Sequence, residues 1–411
     1  SFRLSRLNRL LCQRPLGRQQ RSDDGVTSHG GRRAVKNDHR RPRLLAVSHE
    51  GSQTGAPIVL VTLLEWLRAN ADVSIHTLLI DDGPMRPRFE AIGTVSAVTD
   101  RPGAQTLGFL ERGLEYRGNL RARKLPAALR YRAALATLGR FDIVYLNSIT
   151  TLDLLPYLKG SPRVLAHSHE GPVTIKDWGR THDPMASRLT PDRWIAVSDD
   201  TAEAIRDLPG AGSADVVMHH PFIDVEAARS NRKSPEDLAD LRSSLGIPLD
   251  AAIVVGSGSV ERRKGPDLFL QLACEVRRNR PTGQVPVHFV WVGGDFTGPE
   301  WRLLQADIER CDASHLHVTG HVSDPRPYFQ LADVFALTSR EDPYPLVCLE
   351  HAALEVPIVA YTSSGIRTLL TNAGPEAAAG VIPYLDVCSM ARRIEALLAS
   401  PALLRKVGAQ L

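Results

Sequence analysis

Short, nearly continuous apolar runs recur along the chain. Each is followed by a polar loop and then by a segment whose apolar positions return at helical spacing. Runs of the first kind read as strands buried on both faces, and the second kind as helices that cover them. Residues 43–47 open the series. They lead through the glycine-containing turn 48–57 into an apolar helix that runs past Trp66 and Leu67. Residues 73–80, 141–148, 163–171 and 192–198 predict further strands, with a helix starting at Asp199. Residues 216–224 predict the strand and turn that leave this first half. The stretch 226–250 is charged and holds one helical pattern over 235–245, so the link is placed there. The strand signal restarts at 251–260 and returns at 287–295, 316–322, 331–337 and 356–361. Strands alternating with helices predict an α/β fold with two parallel, doubly wound halves. In such sheets ligands bind outside the carboxyl ends of the strands.

Two loops at those ends carry the candidate chemistry. After the strand at 251–260 comes Glu261-Arg262-Arg263-Lys264-Gly265-Pro266, ahead of a helix over 268–276. Adjacent cations at such a turn suit a diphosphate, since Arg offers planar paired donors and Lys a point charge. After the run 331–337 comes Thr338-Ser339-Arg340-Glu341-Asp342-Pro343-Tyr344-Pro345, then a helix with Glu350 about one turn in. Pro345 is expected at the first helical position. The amides of Leu346 and Val347 would then be unpaired donors at the positive helix end, a site for phosphate. Carboxylates beside an anion site fit a ligand with hydroxyls as well as phosphates. In the first half, Gly51 and Gly55 permit close backbone approach. The turn lacks G-x-G-x-x-G, which argues against a nicotinamide enzyme.

The stretch 338–354 resembles the donor-site signature of the GT-B glycosyltransferases of family 4, in which an acidic residue and a second Glu stand eight positions apart. Asp342 and Glu350 have that spacing, while Glu341 has the family's residue type one position earlier. The usual glycine-rich loop is replaced by Asp-Pro-Tyr-Pro. Lys264-Gly265 matches the family's Lys-Gly step, and Gly258 its preceding Gly. Ser259 stands where an Arg is common, leaving Arg262 or Arg263 for that role. The resemblance runs in order over roughly 43–400. It implies two Rossmann-like domains facing a central cleft, an acceptor domain over 43–222 and a donor domain over 223–411. It also implies a retaining transfer of a hexose from a nucleoside-diphosphate sugar to a glycan, lipid-linked or other hydroxyl acceptor.

By the same resemblance, Glu350 binds ribose hydroxyls, Glu341 or Asp342 the donor sugar, and Gly55 lies near donor phosphate and acceptor. His169 faces the reaction centre. Between the two carboxylates, Asp342 precedes a proline that biases it to extended backbone, so Glu341 is expected to face the sugar. Replacing Lys264 by Ala is expected to weaken donor binding with the fold intact. Two other classes stay open, a GT-B nucleotide-sugar epimerase and a non-catalytic nucleotide-sugar-binding protein.

Composition and charge sharpen this picture. Net charge is +4, but residues 1–43 hold twelve Lys or Arg against three Asp, leaving the rest of the chain net −5. Residues 1–42 therefore read as a basic, disordered tail with nothing to pack. Its start interleaves Phe2, Leu4 and Leu7 with Arg3, Arg6 and Arg9 and would suit peripheral contact with an anionic membrane. Residues 112–132 form a second basic stretch, read as a solvated helix face or an anion-binding one. No apolar run is long enough to span a bilayer. The cysteines, Cys12, Cys274, Cys311, Cys348 and Cys388, lack metal-ligand spacing and read as free thiols in a reducing cytosol. No metal or other cofactor is expected, and no nucleic-acid partner. The expected setting is cytoplasmic, with peripheral contact at the inner membrane face.

Overall fold

The structure is a computed structural model that describes residues 40–100, 106–110, 124–160, 162–181, 191–208, 211, 215–230, 232–281 and 283–411. The basic tail before residue 40 and most of the basic stretch 112–132 lie outside the described residues. The chain forms two compact units, residues 1–166 and 167–411.

In the first unit, parallel strands β1 (Arg43–Glu50), β2 (Ser74–Asp81), β3 (Thr94–Ala97), β4 (Ile143–Leu146) and β5 (Arg163–Ser168) lie in the order β3-β2-β1-β4-β5. Helix α1 (Gly55–Asn70) follows β1 and buries Val59, Leu60, Leu63, Leu64 and Leu67, an i, i+4 stripe toward the sheet. Gly51 is shaped by packing: a Cβ there would sit 2.8 Å from the backbone nitrogen of Gly83. Part of the basic stretch departs from a solvated face. Arg130, on helix α2 (Lys124–Ala136), is only 5% exposed, and Arg132 lies over the Tyr157 ring.

The second unit holds the parallel pair β6 (Arg193–Ala196) and β7 (Val216–Met218), helices α3 (Pro172–Thr181) and α4 (Asp199–Arg206), and a complete six-stranded sheet. Helix α5 (Pro235–Ser244) sits where the helical pattern in the charged link predicts, its N-terminus closed by a capping box of Ser234 and Asp237. The strands of the sheet are β8 (Ala252–Ser257), β9 (Val287–Val292), β10 (Leu316–Val318), β11 (Val334–Leu337), β12 (Ile358–Tyr361) and β13 (Val381–Ile382). Their order is β10-β9-β8-β11-β12-β13, all parallel.

Strand periodicity sends alternate residues to opposite faces of this sheet. Val254, Phe289, Trp291, Val334, Ala336 and Val359 enter one core. Ile253, Val255, Val290, Phe335, Leu337 and Ile358 enter the other. Both faces are covered, which is why these strands read as unbroken apolar runs. Helices α6 (Pro266–Asn279) and α7 (Pro299–Arg310) follow β8 and β9, and α8 (Leu346–Ala353) follows β11. The strand order reverses between β8 and β11, and such switch points are where open α/β sheets bind ligands, here between the loop after Ser257 and the loop after Leu337.

Candidate functional site

Those two loops are the ones the sequence marks, and they are bonded to each other. Gly265 has φ +71°, and a Cβ on it would overlap the Thr338 carbonyl. Glycine is therefore required twice over, by conformation and by space. The Thr338 hydroxyl donates to the Gly265 carbonyl at 2.9 Å. The Arg340 N–H donates to the Arg263 carbonyl at 2.8 Å. The Arg340 guanidinium donates to the Arg262 carbonyl at 2.7 Å and to both oxygens of Asp267 at 2.8 and 2.7 Å. Burial opposes ionisation of Asp267, but Arg340 outweighs it and holds that carboxyl below its usual range.

Within this frame the predicted residues fall as follows. Arg262 and Arg263 are exposed at the tip of the loop. Arg263 Nη1 donates to the Glu341 carbonyl at 3.2 Å, and the Arg262 N–H to Glu300 Oε1. Lys264 is half-buried, with Nζ 2.6 Å from Asp342 Oδ2. Asp342 is buried. Its carbonyl accepts from Gly365 N–H at 3.2 Å and from the Ser364 hydroxyl at 3.3 Å. Asp342 is thus an internal counter-ion to Lys264, fixed at both ends.

Glu341 points to different neighbours. Its Oε1 accepts from the Val173 N–H, in the first turn of α3, at 3.0 Å. A Cβ on Gly171 would overlap this carboxylate, so the glycine makes room for it. Burial pushes the Glu341 carboxyl up, while the Val173 amide and Arg263 pull the other way. His169, in the same loop as Gly171, has its ring 4.0 Å from that of buried His167, and its N–H donates to Glu170 Oε2 at 3.0 Å.

Helix α8 begins one residue later than expected. Pro345 is the N-cap, with φ −69° and ψ 124°, rather than the first helical residue. The ring still withholds no needed donor. The Pro345 carbonyl accepts from Cys348 N–H at 3.2 Å, so Leu346 and Val347 occupy the first two helical positions, whose amides have no acceptor within the helix. Glu350 lies one turn on, and burial pushes its carboxyl up to about 7 against the pull of Arg326. Gly55 belongs to the other unit, exposed at the first position of α1.

Four contributors escape a reading by motif. Arg340, Asp267 and Thr338 tie the loops, and Arg326 stands beside Glu350. Tyr344, which replaces part of a glycine-rich loop, stacks on His220 with centroids 4.7 Å apart and planes at 20°. Arg340 and Thr338 lie inside the motif itself, but nothing local reveals partners some seventy residues away. Among the described residues no group of three or more His, Cys, Asp or Glu could hold a metal ion, and no helix is long and apolar enough to cross a membrane.

Residues 251–400 match the family model described as glycosyl transferases group 1. The D-inositol 3-phosphate glycosyltransferase of Kineococcus radiotolerans is 28% identical over 229 residues, 53% of this chain and 52% of the relative. D-inositol 3-phosphate glycosyltransferase 1 of Catenulispora acidiphila is 30% identical over 232 residues, 53% of this chain and 51% of the relative. The match thus spans about half the length of these curated relatives. Among solved structures, Anabaena HepE in complex with UDP and glucose superposes with a TM-score of 0.69 at 17% identity, over 90% of this chain and 93% of that one. The chain has the GT-B fold, and its residues 251–400 match the group 1 glycosyl transferase family model.

Proposed function

We propose that this protein is a glycosyltransferase that takes a hexose from a nucleoside-diphosphate sugar and transfers it, with retention, to a hydroxyl of a glycan, lipid-linked or related acceptor. The observation that carries the reading is the union of cationic loop, acidic loop and free helix N-terminus at one switch point, on the segment that matches the group 1 family. The relatives named for D-inositol 3-phosphate and the HepE complex with UDP and glucose support the substrate class. Residues 43–222 would form the acceptor half and 223–411 the donor half.

In this reading the departing diphosphate gathers negative charge as the glycosidic bond to it breaks. Arg263 and Lys264, with the Leu346 and Val347 amides, stabilise that charge, and preorganised donors of this kind dominate such catalysis. Arg262 adds a cation at the rim. Lys264 must exchange Asp342 for phosphate, or share itself between them. Glu350 accepts hydrogen bonds from ribose hydroxyls, Glu341 orients the sugar, and His169 lines the reaction centre. The cations neutralise the diphosphate, so the reaction runs without a metal.

The test is incubation with UDP-, ADP- and GDP-hexoses in EDTA, with and without a panel of hydroxyl acceptors, followed by mass spectrometry. Acceptor-dependent release of nucleoside diphosphate with a glycosylated product is expected. A free isomerised sugar nucleotide without acceptor, or binding with no turnover across the panel, would overturn the proposal in favour of an epimerase or a binding protein.

A further inference from the structure

We infer that Arg340 is a positioning residue that fixes the cationic loop for the donor diphosphate. The inference rests on the glycosyltransferase reading above and assigns a residue that reading leaves without a role.

Arg340 reaches from the acidic loop to its cationic neighbour with both its main chain and its side chain. Its N–H takes the Arg263 carbonyl, one guanidinium nitrogen takes both the Arg262 carbonyl and Asp267 Oδ1, and the other takes Asp267 Oδ2. Two successive carbonyls of the Arg262-Arg263-Lys264 run are thereby held by one residue. Asp267 stands in the first turn of α6, where a carboxylate also meets the positive end of the helix. The guanidinium is thus anchored to a rigid element on one side and grips the loop on the other. Within the loop, the Lys264 and Gly265 amides donate to the Glu261 carbonyl at 2.9 and 3.2 Å. Those bonds shape the turn but do not aim it at the switch point.

The Arg340 side chain is mostly buried, at 16% exposure, and three of its five guanidinium N–H donors go to the loop and the helix. Those bonds place it behind the loop cations, so it acts through Arg263 and Lys264. Lysine could not replace it, because a single ammonium cannot make a planar two-point contact with Asp267 while also reaching the Arg262 carbonyl.

The experiment is a double-mutant cycle on UDP binding, read by calorimetry and paired with hydrogen exchange of peptides covering 259–266. Arg340→Ala is compared with wild type, and again in an Arg263→Ala/Lys264→Met/Asp342→Asn background, which keeps the methylene stem that Lys264 lays against Gly258 and leaves no stranded charge. Asp267→Asn serves as the milder variant. The expected result is about tenfold weaker UDP binding for Arg340→Ala, the scale of a lost charge-assisted contact. The loss should fall below about twofold in the background lacking both loop cations, as expected when one residue acts through others. Asp267→Asn should move affinity in the same direction, and Arg340→Lys should not rescue it. Loop amides should exchange faster in the unliganded Arg340 variants. An equal loss in both backgrounds, or wild-type affinity with unchanged loop exchange, would overturn the inference. Wild-type protein that binds none of UDP, ADP and GDP would instead count against the functional reading on which it rests.

Discussion

Removing Lys264 should damage the fold as well as donor binding, contrary to the expectation from sequence that the fold stays intact. The Nζ lies 2.6 Å from Asp342 Oδ2, with the two side chains 20% and 7% exposed. In Lys264→Ala the Asp342 carboxylate loses its counter-ion. Its side chain is buried and its main chain is held in place by Gly365 and Ser364, so the charge stays out of water. Ser339 Oγ, 3.4 Å away, is a weak substitute. Breaking a buried pair from one side typically costs about 3–5 kcal/mol. The partial exposure of Lys264 places this case near the lower end, about 3 kcal/mol. For a unit of this size that lowers Tm by roughly 6–12 °C. Asp342→Asn added to Lys264→Ala should recover most of the loss, since the stranded charge is then gone, whereas donor binding should stay weak. Urea unfolding at pH 7 reads the first effect and UDP calorimetry the second. A Lys264→Ala protein within about 0.5 kcal/mol of wild type, the range of surface substitutions, would refute the buried-pair argument. So would a double variant no more stable than the single one.

Two further outcomes follow from the carboxylates. Glu341→Gln should lose much more turnover than Asp342→Asn while keeping nearly wild-type stability, whereas Asp342→Asn should chiefly lower Tm; an inactive but stable Asp342→Asn enzyme would reverse the roles assigned here. Glu350 is raised to about 7 from an ordinary 4.5, so its neutral form is favoured in the fold. Its stabilising contribution is therefore complete below about pH 4.5 and is lost as pH rises through 7, by at most about 3 kcal/mol at 1.36 kcal/mol per pH unit. Glu350→Gln should flatten that part of the pH–stability curve and make the protein more stable than wild type at pH 8, and a curve of unchanged slope between pH 5 and 8 would contradict it.

Five of the six strands of the second sheet were legible because the sheet is covered on both faces, so burial writes itself as an apolar run; β13, two residues long, was not. Nor was strand β3. It is four residues long and mostly half-exposed, which leaves no periodic signal. The cationic and acidic loops were legible as motifs with a chemical reason. Their mutual bonding was not, because Lys264 and Asp342 are 78 residues apart and the strand order alone makes them neighbours. Pro345 was misplaced by one position because the ring restricts φ to values that suit a cap and a first helical residue alike. Arg130 counted as a surface charge by composition, yet tertiary packing buries it.

The account stands most directly on whether the site takes a nucleotide sugar by its own cations. Calorimetric titration of EDTA-treated protein with UDP-, ADP- and GDP-glucose should show saturable one-to-one binding of one of them, displaced by the matching nucleoside diphosphate and weakened by Arg263→Ala. No binding in any titration, or binding that appears only when Mn²⁺ or Mg²⁺ is restored, would contradict it.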